Sequence, residues 1–343
     1  MVAQRSIPAA FMRGGTSKGL MLRAEDLPAE RGAWAPLFAA MMGSPDGYGR
    51  QLDGMGGGVS SLSKVCVVAP SARPDADVDY TFAQVSIRAA GVDYAGNCGN
   101  MSSAVGPFAL DEGWVSGSTA EGAVVRIFNT NTGKRIDARF PVEGGRARYD
   151  GDLVIPGVSG SGAAVRLDFI EPGGATTGRL LPTGRARDVL DVPGFGAVEA
   201  SMVDAANAAV FVRAADLGLD GREAPDEIDG RADLLAHLEA IRAAASVAMG
   251  IAPDEATARG IRMVPFVCLV APPGGDRADP GRDADLVLRA MSNGQAHRAL
   301  PLTVSLCVAV AAQIQGSVVA ECRRPSASGG TLKLAMPSGL LAV

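Results

Sequence analysis

From Asp77 to Arg88 the chain alternates apolar and polar residues (DVDYTFAQVSIR), the period of a strand buried on one face. Shorter apolar runs at Ile7–Met12, Leu20–Arg23 and Val65–Val68 predict further strands. Between them, Leu27 to Met42 carries apolar residues at helical spacing and predicts an amphipathic helix that stops near Gly43, Ser44 and Pro45. Met101 to Leu110 is apolar nearly all round, so a helix there should be enclosed by sheet. Val124 to Phe140 predicts a hairpin turning near Asn131, Thr132 and Gly133, and short strands continue to Phe169.

A second unit begins near Pro182, giving expected lobes of 1–182 and 183–343. Val198 to Val212 is strand-like, Arg231 to Met249 reads as an amphipathic helix ending at Gly250, and Val264–Ala271 and Ala284–Arg289 read as strands. His237 on that helix is expected to be a surface or packing residue. A polar turn from Met291 to Arg298 then feeds the apolar stretch Ala299 to Ala312. Both halves thus follow one plan of strands, polar turn and buried helix, without a close sequence repeat. If the two units faced each other, both helix N-termini would meet at one cleft as a doubled anion site.

Composition narrows the class. A chain of 343 residues is too long for one small core, which favours two domains. Its 32 basic and 37 acidic residues leave a net charge of −5, with no basic block to hold a nucleic-acid backbone. Cys66, Cys98, Cys268, Cys307 and Cys322 form no CxxC pair and sit mostly in apolar runs, as reduced thiols of a cytoplasmic protein do. Neither a signal-peptide stretch nor an uninterrupted 18-residue apolar segment is present, so no membrane association is expected.

Chemistry concentrates at Gly96-Asn97-Cys98-Gly99-Asn100, where a polar turn becomes the first buried helix. A cysteine there meets unpaired backbone N–H groups and the positive end of the helix dipole, which favour a thiolate or a bound anion. The bland reading is a small apolar residue in a tight turn, but the flanking glycines and asparagines leave room for a ligand. Upstream, Arg13-Gly14-Gly15-Thr16-Ser17-Lys18-Gly19 joins two strands with hydroxyls, cations and backbone N–H groups suited to a carboxylate or phosphate. It lacks Walker spacing, and a solvated hairpin is its plain alternative. The Gly-rich stretch Asp53 to Ser63 precedes a strand rather than a helix, so it is no dinucleotide fingerprint; it delivers Lys64 to the mouth of an apolar strand. A lysine there is a candidate base where it is desolvated, and otherwise snorkels to water. Gly160-Ser-Gly162 has no third glycine and receives no cofactor role.

Taken together, MRGGTSKG at 12–19, DGMGGGVSSLSK at 53–64, DVDYTFAQVSI at 77–87, GNCGNMSSAVGPFA at 96–109 and HRALPLTVSLCVAVAA at 297–312 resemble the PrpF family. That family comprises 2-methylaconitate cis-trans isomerases, 4-oxalomesaconate tautomerases and methylitaconate isomerases, and the resemblance spans essentially the whole chain. It implies an α+β, diaminopimelate epimerase-like fold: two pseudo-symmetric lobes, each a mixed β-sheet rolled around a central α-helix, with the last segment able to pack back on the first lobe. The epimerase carries one cysteine on each lobe, whereas His297 and Arg298 stand at the corresponding opening here and Cys307 falls inside the helix. PrpF-type enzymes pair the cysteine with a lysine, which matches Lys64. Near the C-terminus, Met336 stands where the family commonly has histidine.

The resemblance implies a cofactor-independent, metal-free isomerase acting on a small polycarboxylate, with Lys64 and Cys98 as the acid–base pair. Asn97, Gly99 and Asn100 are then expected to hold one carboxylate, with Arg13, Ser17, Lys18, Ser292, His297 and Arg298 as further substrate contacts. His297 reads equally as a residue bonded to backbone at the helix opening, and Arg298 as a surface charge. 2-Methylaconitate would suit propionate catabolism by the methylcitrate route, and oxalomesaconate would suit aromatic-acid catabolism; the residues do not separate them. An amino-acid racemase or epimerase and a silent carboxylate-binding protein are the alternatives from other classes. A homodimer is the expected assembly.

Overall fold

The computed structural model describes residues 5–115, 122–274, 282–325 and 330–343. The chain divides into two compact units, Met1–Glu171 and Pro172–Val343. Residues 172–182, grouped above with the first lobe, are in the second unit, where Gly173 bridges Ala205.

The first unit holds β1 (Ala10–Gly14), β2 (Ser17–Arg23), α1 (Trp34–Met42), β3 (Lys64–Pro70), β4 (Val78–Val85), β5 (Val92–Asp93) and α2 (Gly99–Asp111), followed by β6 (Ala123–Asn129), β7 (Lys134–Phe140), the small hairpin β8 (Val142–Glu143) and β9 (Arg146–Ala147), and β10 (Arg166–Phe169). Its mixed sheet runs β1-β2-β3-β4-β6-β7-β10, with β5 beside β4. The pairs β2/β3 and β4/β6 are parallel and the others antiparallel. Strand alternation gives this sheet two apolar faces. Leu20, Leu22, Val65, Val67, Ala83 and Val85 cluster with Phe38 and Met42 of α1. Gly19, Met21, Lys64, Cys66, Tyr80, Phe82 and Gln84 have the opposite parity. The enclosed helix α2 packs on β1, β2, β6 and β7, burying residues all round from Gly99 to Leu110.

Helix α1 is shorter than the expected 27–42. Pro28 drives Leu27 into an extended conformation (φ −98°, ψ 159°), and a 3-10 turn at Arg31–Ala33 precedes the helix proper.

The second unit holds β11 (Asp188–Val192), β12 (Gly196–Ala205), β13 (Asn207–Arg213), α3 (Pro225–Asp229), α4 (Ala232–Ala248), α5 (Glu255–Gly260), β14 (Phe266–Ala271), β15 (Leu286–Ser292), β16 (Gln295–Ala296), α6 (Leu302–Ala311), α7 (Val318–Cys322), β17 (Lys333–Met336) and β18 (Gly339–Ala342). Its sheet runs β11-β12-β13-β14-β15-β17-β18, with β16 beside β15. The run expected as one strand over 198–212 is a hairpin, because Ala206 takes a left-handed conformation (φ 64°) and reverses the chain without a glycine or proline to signal it. The buried helix starts at Leu302 rather than 299, since Pro301 at the N-cap keeps Leu300 out of the helical region. The last strands stay in this sheet: β17 runs parallel to β15 and β18 closes on β17, so the C-terminal segment pairs within its own unit.

The two sheets repeat one wiring. Strands β1 to β4, with β5, β6 and β7, correspond in pairing sense to β12 to β15, with β16, β17 and β18. Helix α2 corresponds to α6. Among the described residues no helix is long and apolar enough to cross a membrane.

Candidate active site

Cys98 is the N-cap of α2, in extended backbone (φ −109°, ψ 95°), and its carbonyl accepts from the Ser102 N–H at 2.9 Å. The thiol caps nothing, so the first-turn N–H groups behind it keep their partial positive charge. The β1–β2 turn is seated against this terminus. Asn100 Nδ2 donates to Thr16 Oγ1 at 3.1 Å and to Ser17 Oγ at 3.4 Å. Gly14 makes that approach possible, because a Cβ there would fall on the Asn100 carbonyl oxygen.

Asn97 is held from the far side. Asn129 Nδ2 donates to its Oδ1 at 3.0 Å and Ser102 Oγ donates to the same oxygen at 3.3 Å. Asn129 is itself fixed by the β6–β7 turn, its Oδ1 accepting from the N–H groups of Asn131 and Thr132.

Lys64, the first residue of β3, is only 6% exposed, and its ammonium does not snorkel. Its Nζ donates to Gln84 Oε1 at 2.6 Å and lies 5.0 Å from the Phe82 ring centroid. Gly19 pairs with Lys64 across β2/β3, and a Cβ on Gly19 would meet the Lys64 carbonyl at 2.5 Å.

Cys66 is within electrostatic reach of both Lys64 and Cys98. Burial pushes the Cys66 thiol far up, the nearby Cys98 adds to this, and the Tyr80 hydrogen bond and Lys64 only partly oppose it. Burial likewise raises the Tyr80 phenol, whose oxygen is 3.7 Å from Cys66 Sγ. Both groups are therefore neutral at ordinary pH.

Of the expected contacts, Ser17, Asn97, Gly99, Asn100, Cys98 and Lys64 gather around the start of α2 and the adjoining edge of its sheet. Arg13 is exposed, with Nη1 on the Gly15 carbonyl at 3.0 Å, and Lys18 lies 5.2 Å from the Phe11 ring centroid. In the second unit, Ser292 ends β15 and pairs with Gln295, while His297 Nδ1 accepts from the Ala299 N–H at 3.1 Å. Arg298 is engaged by Asp229 at 3.0 Å and Asp226 at 2.8 Å. Among the described residues no three of His, Cys, Asp or Glu converge as a metal ion requires.

Gln84, Asn129 and Cys66 were not singled out from the sequence. Gln84 carried a signal: in DVDYTFAQV it takes the inward parity of Tyr80 and Phe82, a polar residue on a core face. Asn129 and Cys66 lie in strands whose spatial neighbours no local pattern names.

The family model described as PrpF protein matches residues 4–343. A 3-methylitaconate isomerase of Eubacterium barkeri is 43% identical, the alignment covering 100% of this chain and 91% of the relative. A 2-methyl-aconitate isomerase of Shewanella oneidensis is 38% identical over 99% and 89%. A 4-oxalomesaconate tautomerase of Pseudomonas putida is 39% identical over 98% and 88%. Among solved structures, a methylitaconate-delta-isomerase superposes with a TM-score of 0.76 at 43% identity, covering 98% of this chain and 88% of that one. A probable proline racemase from Agrobacterium radiobacter superposes at 0.55 with 15% identity over 98% and 83%, a likeness of fold alone. With the whole length matched and the two-lobe diaminopimelate epimerase-like fold in place, the chain belongs to the PrpF protein family and is an isomerase.

Proposed function

We propose that the enzyme isomerises an unsaturated di- or tricarboxylate such as 2-methylaconitate, by an allylic proton shift or by rotation about the double bond. The observation that carries this reading is the placement of Lys64 and Cys98, both nearly buried, about one face of one sheet with Cys66 in reach of both. One of the pair takes a proton from the carbon next to the double bond. The electron pair spreads over the allyl system and its carboxylate, and the other group returns a proton at the far end, or at the same carbon after rotation. The developing charge is met by the first-turn N–H groups of α2 and by Asn100, with Ser17 and Thr16 beside it. Asn97 and Gly99 complete a carboxylate cradle, and Arg13 and Lys18 supply positive charge at the β1–β2 turn. This chemistry asks for no cofactor.

The 39% identity to a named 4-oxalomesaconate tautomerase over 98% of the chain supports a second reading, the same proton shift on that substrate. Proton NMR in deuterated water with trans-aconitate, 2-methylaconitate and 4-oxalomesaconate tests both, using wild type beside Cys98→Ser and Lys64→Ala. Deuterium should enter the allylic position of one substrate and be lost in both variants. No exchange with any of these acids in a folded protein would overturn the assignment.

A further inference from the structure

Burying a lysine ammonium requires a partner that stabilises it, and the choice of partner decides whether the amine can still release its proton. Lys64 Nζ is bound to Gln84 Oε1 at 2.6 Å, and Gln84 is 3% exposed. The amide cannot turn over, because its Nε2 gives both protons to main-chain carbonyls, Ser60 and Ser63, each at 3.0 Å. Those carbonyls belong to the short 3-10 turn Ser60–Leu62 and its cap, which lead directly into Lys64. The loop that delivers the lysine therefore also fixes the group that receives it. An amide oxygen accepts an N–H equally well from an ammonium with three protons and from an amine with two, so the bond survives protonation and deprotonation. A carboxylate in that place would hold the ammonium form.

The fold does not demand a lysine here. In the second unit Cys268 lies within electrostatic reach of Cys307 on α6, as Cys66 does of Cys98 at the start of α2, so the two cysteines share the face of the sheet that meets the buried helix. Two residues before Cys268 on that face, Phe266 pairs in parallel with Ala209 as Lys64 pairs with Gly19. An apolar side chain there takes the place that Lys64 has in the first unit.

We propose that Gln84 is a positioning residue for the isomerisation: it aims the Lys64 amine at the substrate and, being uncharged, keeps it able to cycle between its two protonation states. This rests on Lys64 being one of the two proton carriers. The groups facing Lys64 are Gln84 and Phe82 from β4, Cys66 from its own strand and, within reach of Cys66, Cys98 from α2.

The test compares wild type, Gln84→Met, Gln84→Glu and Lys64→Ala by solvent deuterium exchange across pH, with 13C-lysine NMR following the Lys64 ε-carbon among only four lysines (Lys18, Lys64, Lys134 and Lys333). Gln84→Met should lower kcat by about 10- to 100-fold with KM little changed, as expected for losing a bond to a charged group that orients the amine. It should also move the Lys64 titration, and the limb of the rate profile that follows it, to lower pH, because the charged form loses its acceptor. Gln84→Glu should move both to higher pH. A Gln84→Met protein with wild-type kcat and an unmoved Lys64 titration would overturn the proposal. So would a Gln84→Met chain that fails to fold, since it would make the pair a structural requirement. Exchange that persists in Lys64→Ala would instead overturn the acid–base reading beneath it.

Discussion

Asn129 links the turn that ends β6 to the residue that precedes Cys98, and its removal should be felt both in stability and in rate. Its side chain is fully buried. It accepts from Asn131 N at 3.1 Å, Thr132 N at 3.0 Å and Thr132 Oγ1 at 3.0 Å, and donates to Asn97 Oδ1 at 3.0 Å. At about 1 kcal/mol net per bond, with water recovering part of the half-buried turn, Asn129→Ala should cost roughly 3 kcal/mol. Both tryptophans, Trp34 and Trp114, lie in the first unit, so fluorescence during urea unfolding reports this unit specifically. Asn97 would then keep only the Ser102 hydroxyl at 3.3 Å on its Oδ1 from this pair of donors, and a looser approach to Cys98 should lower kcat about tenfold. A double-mutant cycle with Asn97→Ala isolates the shared bond, with an expected coupling of about 1 kcal/mol. Stability within about 0.5 kcal/mol of wild type, or a coupling near zero, would show that the Asn129–Asn97 bond does not hold the site.

Three further outcomes follow from the same structure. Gly14→Ala should destabilise the first unit by about 1–3 kcal/mol and raise KM, since its Cβ strikes the Asn100 carbonyl and pushes the β1–β2 turn off α2; unchanged values for both would mean that the turn has room. Native iodoacetamide treatment near pH 8, mapped by mass spectrometry, should spare Cys66, Cys268 and Cys307, because burial pushes these thiols up, Cys307 to about 12; labelling of any of them before unfolding would contradict this. His237, stacked on Phe195 with ring centroids 4.1 Å apart, has its pKa lowered by burial. The unfolded chain then binds the proton more readily, so His237 contributes stability above the unfolded pKa that is lost as pH falls through the ordinary histidine range. His237→Gln should flatten the fall between about pH 7 and 5, and an unchanged slope would remove His237 as its source.

The parts of the fold legible in the sequence were those with local signatures. The alternation at 77–88, the all-round apolar helix after Cys98 and the Asn131–Gly133 turn each needed only neighbouring residues, and Gly133 indeed takes φ 66°. The Ala206 reversal was not legible, because an alanine in a left-handed turn leaves no compositional mark. At the candidate site the sequence offered Lys64 and Cys98 but not what connects them. The Lys64–Gln84 and Asn97–Asn129 bonds span 20 and 32 residues and Cys66 reaches from its strand to the start of α2, so only the register of the sheet brings these groups together.

The repeated wiring also bears on which chemistry the chain can support. A racemase of the epimerase type carries one thiol on each lobe, at the opening of each central helix. In the first unit that place is Cys98; in the second it is Pro301, which has no titratable group. Cys307 does not replace it: it lies midway along α6, its Sγ on the Val203 carbonyl at 3.5 Å, and burial with the neighbouring Asp204 charge pushes the thiol up to about 12, against a smaller opposing backbone bond. Lys64 likewise has only the apolar Phe266 as its counterpart on the face that meets α6. A thiol and an amine at these two equivalent positions are thus found in the first unit alone. A strand residue and a helix N-cap gathered within one unit suit passing a proton between the ends of an allyl system, whereas inverting a single carbon needs two groups on opposite sides of it. An amino-acid substrate should accordingly show no α-deuterium exchange with this enzyme, and exchange at an α-carbon that survives the double variant Lys64→Ala, Cys98→Ser would reveal a proton carrier other than this pair.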